Sequence, residues 1–135
     1  MTLQASVTVR NARADSVETA VSTSAVLKIR SGAQPADCAT ADSGTALATL
    51  SLPSDWMDAA SSGAKAKAGT WQDTSANASG TAAHFRIYAL DGTTCHLQGS
   101  VTVTGGGGDM TLDNVSINSG QSVTITSFGW TEPNA

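Results

Sequence analysis

Residues 81–104, TAAHFRIYALDGTTCHLQGSVTVT, carry an alternation that few folds can accommodate. Ala83, Phe85, Ile87 and Ala89 are apolar at odd positions, as are Cys95, Leu97, Val101 and Val103, with Gly99 among them. The even positions hold polar or amphipathic side chains: His84, Arg86, Tyr88, Thr94, His96, Gln98, Ser100 and Thr102. Period two marks a strand with one face on a core and the other facing away. The pattern therefore predicts a β-hairpin closed at Asp91-Gly92. A two-residue turn would pair odd with even positions and put half of the apolar set in water, because a one-residue slip turns every side chain over. A three-residue loop, Leu90-Asp91-Gly92, keeps the parity, with Gly92 left-handed after a type I turn. In that register Ala89 faces Thr93, Ile87 faces Cys95, Phe85 faces Leu97 and Ala83 faces Gly99. On the outer face Arg86 meets His96, and His84 meets Gln98.

The rest of the chain is consistent with a sheet built on this hairpin. Its 135 residues suit one domain, 1–135, able to bury a real core. Charged residues make up 13%, about half the ordinary share, and Val, Ile and Leu recur in strand-like patterns. Leu3, Val7, Arg10, Ala14, Val17 and Val21 follow helical spacing, which predicts one short helix within about 3–21. Thr2 is its candidate N-cap, and the helix is safest over 11–21, since Val7-Thr8-Val9 also suits a short strand. Residues 25–30 read as a strand with Leu27 and Ile29 on one face. Residues 46–52 read as another, ended by Pro53. Between them runs a polar loop, 31–45, long for a compact domain. Residues 54–62 suit a helical turn that carries Trp56 and Met57 inward. Lys65 and Lys67 suit an edge strand, where lysines discourage pairing. Four glycines, 105–108, break regular structure and allow close backbone approach. A parity change predicts a kink at Asp113-Asn114, and a second predicts a bulge near Ser127 in a last strand, 121–131. Seven or eight short strands and one N-terminal helix point to an all-β fold, a two-layer β-sandwich of which the jelly roll is one form.

Charge distribution narrows the function. All seven Lys and Arg lie at or before Arg86; Asp91, Asp109, Asp113 and Glu132 follow with no cation, and the net charge is −4. That is no footprint for nucleic acid. No stretch approaches the roughly 18 apolar residues of a membrane span, and the first twenty residues lack the apolar run of a signal peptide. The expectation is a protein made in the cytosol that leaves it only inside an assembly. Cys38 and Cys95 are expected to be free thiols in such a compartment, with Cys95 pointing into the core.

Candidate chemistry is sparse. His84 and His96 share the outer face of the hairpin with Arg86, Tyr88 and Gln98, but zinc wants three or four ligands in one place. No Gly-x-Ser-x-Gly elbow accompanies the many serines. Asp55 with Asp58, and Asp109 with Asp113, could form carboxylate pairs, yet both sit where aspartate is common for backbone reasons. Calcium has no EF-hand or nonapeptide repeat to hold it. No catalytic residue, metal ligand or cofactor is assigned. The remaining candidates are contact residues: His84, Arg86, Tyr88 and His96 as a docking row, and Trp71, beside a loop, as an anchor for a partner, with a place in the core equally open to Trp71. On that reading, charge reversal at Arg86 weakens assembly without unfolding the monomer.

Three segments add a resemblance: RNARADSVETAV (10–21) with AVLKIRSG (25–32), GTAAHFRIYALDGTT (80–94), and DMTLDNVSINSGQSVTITSFGWTEPNA (109–135). In this order they resemble the cement, or decoration, proteins of short-tailed bacteriophage heads. The resemblance implies a jelly-roll-like sandwich on the capsid surface that clamps neighbouring copies of the major capsid protein, with self-association as a dimer or higher. It implies no site residues. Two other readings are a tail or head-completion subunit of a phage, and a carbohydrate-binding β-sandwich with Trp71, Tyr88 and His96 as its platform.

Overall fold

A computed structural model describes residues 2–135. The fold is mostly strand, with one helix among the described residues: α1 (Val7–Val21), β1 (Val26–Arg30), β2 (Ala46–Ser51), β3 (Ala64–Ala66), β4 (Trp71–Asp73), β5 (Gly80–Thr81), β6 (His84–Tyr88), β7 (Cys95–Val103), β8 (Met110–Leu112), β9 (Ser116–Ile117), β10 (Val123–Ile125) and β11 (Gly129–Thr131). Five strands form one sheet in the order β2-β1-β6-β7-β8; β10-β4, β11-β3 and β5-β9 are two-stranded ribbons. The predicted strands at 25–30 and 46–52 are present as β1 and β2, and Leu27, Ile29, Leu47 and Leu50 are buried.

The hairpin β6-β7 forms, but in a different register. Phe85 faces Gly99, Ile87 faces Leu97, and Arg86 faces Gln98, each two residues further along β7 than expected. The physical reason is steric: a Cβ on Gly99 would lie 2.7 Å from the Phe85 ring, so Phe85 needs the one position in β7 that has no side chain. The loop is correspondingly longer. Ala89 N–H donates to Thr94 O, and the Asp91 carboxylate accepts from the backbone of Thr93 and Thr94. Gly92 is left-handed there as expected, at φ 70°. Between Ile87 and Tyr88 the pairing jumps from Leu97 to Cys95. His96 is the extra residue of a β-bulge, and beyond it the parity of β7 reverses. Ala83 is exposed, whereas its neighbour Ala82 is buried, because β6 begins only at His84. Val103, expected on the core face, is 44% exposed at the end of β7.

The glycine run has a specific task. β7 and β8 are parallel, Val101 against Met110 and Val103 against Leu112, although only residues 104–109 connect them. Parallel neighbours ordinarily need a crossover of a dozen or more residues. Here Gly105 and Gly107 take positive φ, and a Cβ on Gly106 or Gly108 would lie 2.8 Å from Thr102. The return is tight because nothing projects from it.

The core side of the sheet meets the ribbons over a chain of aromatic rings. Trp56 and Trp71 are 6.0 Å apart, Trp71 and Phe128 5.6 Å, Phe128 and Phe85 5.5 Å, and Phe128 and Trp130 6.1 Å. The Trp56 and Trp71 indoles each donate to a backbone carbonyl, Ser22 and Ala68. Trp56 and Met57 are buried as expected, but without a helical turn; residues 54–62 are irregular, bridged at Met57–Lys67 and Ser61–Ala64. The predicted last strand is two strands, β10 and β11, on two different ribbons, and the break falls at 126–128.

Helix α1 starts at Ser6, whose hydroxyl accepts from Val9 N–H, and not at Thr2. Arg10, Ala14 and Val21 of the expected face are buried and Val17 half-buried, while Leu3 and Val7 are exposed. Polar contacts hold the helix. Arg10 donates twice to Glu132 O, and Asn11 accepts from Gly63 N–H. Lys65 is no edge-strand lysine: it is 3% exposed and donates to Asp15 (2.6 Å) and to Asp58 O, with Glu18 at 2.8 Å. The paired ribbon β3-β11 puts it beneath α1.

The Phe85–Gly99 fit is testable. Gly99→Ala should lower the unfolding free energy by about 1–3 kcal/mol through overpacking, read as a lower urea midpoint with unchanged slope.

Candidate functional site

The second face of the hairpin is the most chemically loaded part of the chain, and it is buried. Every residue of β6 is buried, with His84 and Tyr88 at 0% exposure and Arg86 at 2%. The cover is the 31–45 loop, folded back across β1, β6 and β7. The expectation of an exposed docking row is therefore corrected for His84, Arg86 and Tyr88. Trp71 is also fully buried, inside the aromatic chain. Of the five predicted contact residues only His96 is exposed, pushed out by the bulge.

Arg86 organises the layer. Its Nη1 donates to Asp42 Oδ1 at 2.6 Å, its Nη2 to Asp37 O and Thr40 O at 2.7 and 2.9 Å, and its Nε to Gln98 Oε1 at 3.0 Å. Gln98, opposite Arg86 on β7, donates in turn to Pro35 O. The Tyr88 hydroxyl donates to the same Asp42 oxygen at 2.7 Å. Arg30 donates to Ser43 O and Gly44 O and lies 3.6 Å from Asp42. Lys28 reaches Gly92 O and sits over the Tyr88 ring. The loop is thus held mainly by its own carbonyl groups, which the planar guanidinium donors of Arg86 and Arg30 can reach.

Ionisation follows from these contacts. Burial alone would raise the Asp42 carboxyl, but the hydrogen bonds from Tyr88 and Arg86 outweigh it and hold Asp42 below the usual range. Burial, reinforced by Asp42, pushes the Tyr88 phenol up to about 12. His84 is lowered, chiefly by burial; Arg30 and Arg86 add to this against the contact with Gly32 O. Its Nδ1 meets Gly32 O at 2.9 Å, while Nε2 is buried without a partner. The arrangement suits a neutral imidazole with its proton on Nδ1.

Cys38 and Cys95 complete the layer. The bulge at His96 turns Cys95 onto the Tyr88 side, away from the core where it was expected. Its sulfur lies 2.7 Å from the Cys38 sulfur. Sequence alternation could not reveal this meeting, because it depends on one inserted residue.

What this cluster can do chemically is restricted. The His84 ring makes no hydrogen bond to a serine, threonine or cysteine, and Asp42 is engaged by Arg86 and Tyr88. Of the predicted carboxylate pairs, Asp109 is occupied by Ser100. No group of three or more His, Cys, Asp or Glu side chains fit to hold a metal is found among the described residues. No helix among them is long and apolar enough to cross a membrane. The sugar platform of Trp71, Tyr88 and His96 is not assembled, since two of its three rings are fully buried. An open groove of about 640 Å³ runs past Phe128 and Trp130 between β3, β11 and Asp109.

The layer should respond to acid in two steps. His84 has a folded pKa below its unfolded value, so its contribution is complete above about pH 6.5 and is lost as pH falls from there. Asp42, also depressed, adds a second loss beginning near pH 4. Thermal melts from pH 8 to 3 should show both, and His84→Gln should remove the first. Arg86→Met should cost about 3 kcal/mol or more, because it strands two loop carbonyls and a carboxylate. The readout is faster amide exchange across 31–45. Charge reversal at Arg86 should disrupt the fold itself.

Comparison of the chain with protein-family models, with curated proteins and with solved structures finds no match.

Proposed function

We propose that this protein is a structural component of a virion: a cement protein that sits on the outside of a phage capsid and clamps neighbouring copies of the major capsid protein. On this reading it carries no catalytic centre, cofactor or metal, associates with itself on the capsid surface, and is assembled in the host cytoplasm. The five-stranded sheet and its facing ribbons are read as a jelly-roll-like β-sandwich, with the parallel β7-β8 pair as the departure from an all-antiparallel scheme.

The observation that carries the reading is where apolar surface remains. Most polar groups on the covered face of the hairpin are spent internally; Leu90 (68%) and Val103 (44%) are exposed singly on the hairpin, while Leu3 is 78%, Val7 52% and Val9 49% exposed together, just before and at the start of α1. Exposed aliphatic side chains grouped on one short segment suit a contact surface for another protein. Low charge suits copies crowded on a lattice, where dense like charge would repel. Many weak attachments per particle then suffice.

Purified protein should co-sediment with expanded capsids and not with free capsid subunits. The double variant Leu3→Asp, Val7→Asp should lose about tenfold or more in capsid affinity, with Tm within about 2 °C of the parent. Equal binding to capsids and free subunits overturns the proposal.

A further inference from the structure

We propose that Cys38 and Cys95 are a modification site: the pair closes by thiol–disulfide exchange with a small-molecule disulfide of the glutathione type, locking the 31–45 loop onto the hairpin. This inference does not rest on the capsid reading.

Three observations converge. The sulfurs lie 2.7 Å apart, closer than two unbonded sulfurs ordinarily approach, so bond closure to about 2.05 Å needs little movement. Both cysteines are half-buried, which leaves the pair within reach of a small reagent. The partners belong to the two surfaces that the polar layer already holds together, Cys38 between the Asp37 and Thr40 carbonyls that Arg86 grips, and Cys95 opposite Tyr88. The folded state thus aligns the thiols before any oxidant arrives.

The geometry also orders the steps. Cys95 Sγ has two acceptors for its proton, Cys38 Sγ at 2.7 Å and Leu97 O at 3.4 Å, which favours the thiol at that position. Cys38 therefore opens the reaction. It loses its proton to solvent, and its thiolate attacks one sulfur of oxidised glutathione. A mixed disulfide forms, and one glutathione thiolate leaves and takes up a proton. Cys95, giving up its proton, then attacks the Cys38 sulfur and expels the second glutathione. Two protein thiols are oxidised by two electrons in total, and one glutathione disulfide is reduced to two thiols.

The closed loop joins positions 57 residues apart, so the constraint on the unfolded chain is large. Native protein at neutral pH, treated with oxidised glutathione, should lose both free thiols, remain monomeric on non-reducing electrophoresis, and lose the mass of two hydrogens. Its Tm should exceed that of the reduced protein by roughly 5–15 °C. Cys95→Ser should instead accumulate one glutathione adduct, on Cys38. Persistence of both thiols in the native protein, dimers linked between chains, or an oxidised form that melts no higher than the reduced one each overturns the proposal. The parent protein alone decides these outcomes, whether or not the variant folds. An adduct forming faster on Cys95 of Cys38→Ser than on Cys38 of Cys95→Ser overturns the assigned order.

Discussion

The guanidinium of Arg86 is the constraint from which the rest of the polar layer follows. A cation at the middle of a sheet face, 2% exposed, is tolerable only if each of its nitrogens finds an acceptor, because its desolvation costs several kcal/mol. The sheet itself offers one acceptor, Gln98. The others must come from the loop, and they do so as Asp42 and the carbonyls of Asp37 and Thr40. The loop in turn has little apolar material, only alanines, Pro35 and Cys38, and could not be held by burial alone. Cation and loop are each unstable without the other. That mutual dependence explains how a long segment without regular structure keeps one conformation.

The alternation over 81–104 made the hairpin and its two faces legible, and both faces exist. It did not say what lies beyond each face. An alternating antiparallel strand usually turns its polar side to water. Here the polar side is covered, and the clue lay elsewhere, in the length of a loop whose carbonyls match the charges of Arg30 and Arg86. Register was also hidden. Alternation is unchanged by a shift of two, so it could not choose between Leu97 and Gly99 as the partner of Phe85. The choice was made by ring volume against a missing Cβ. The bulge at His96 is smaller still in the sequence, one residue, yet it moves Cys95 from the core face to the loop face.

The other misreadings share a cause. Trp71, Lys65 and the strands β10 and β11 of the segment 121–131 all belong to two-stranded ribbons of three residue pairs. Strands that short leave no periodic trace, and their neighbours decide whether a lysine points to solvent or under a helix. Lys65 looked like an edge residue because alanine alternates with Lys65 and Lys67 over 64–68. It is buried because Asp15 and Glu18 of α1 lie above it. The helix was legible over most of its length: of the expected 3–21, residues 7–21 are helical, with Arg10, Ala14 and Val21 buried and Val17 half-buried. Leu3 and Val7 fit the same spacing without touching the core.

The two sides of the central sheet are therefore held by different physics. On one side the rings of Trp56, Trp71, Phe85, Phe128 and Trp130 come from distant segments, and no single ribbon is stable without the others. Such a core is lost cooperatively, and its strength depends little on protonation. On the other side the groups that bind the loop titrate or oxidise: His84, Asp42 and the cysteine pair. Acid or oxidation therefore acts first on the loop side of the sheet, and the aromatic side has no titratable group among its rings.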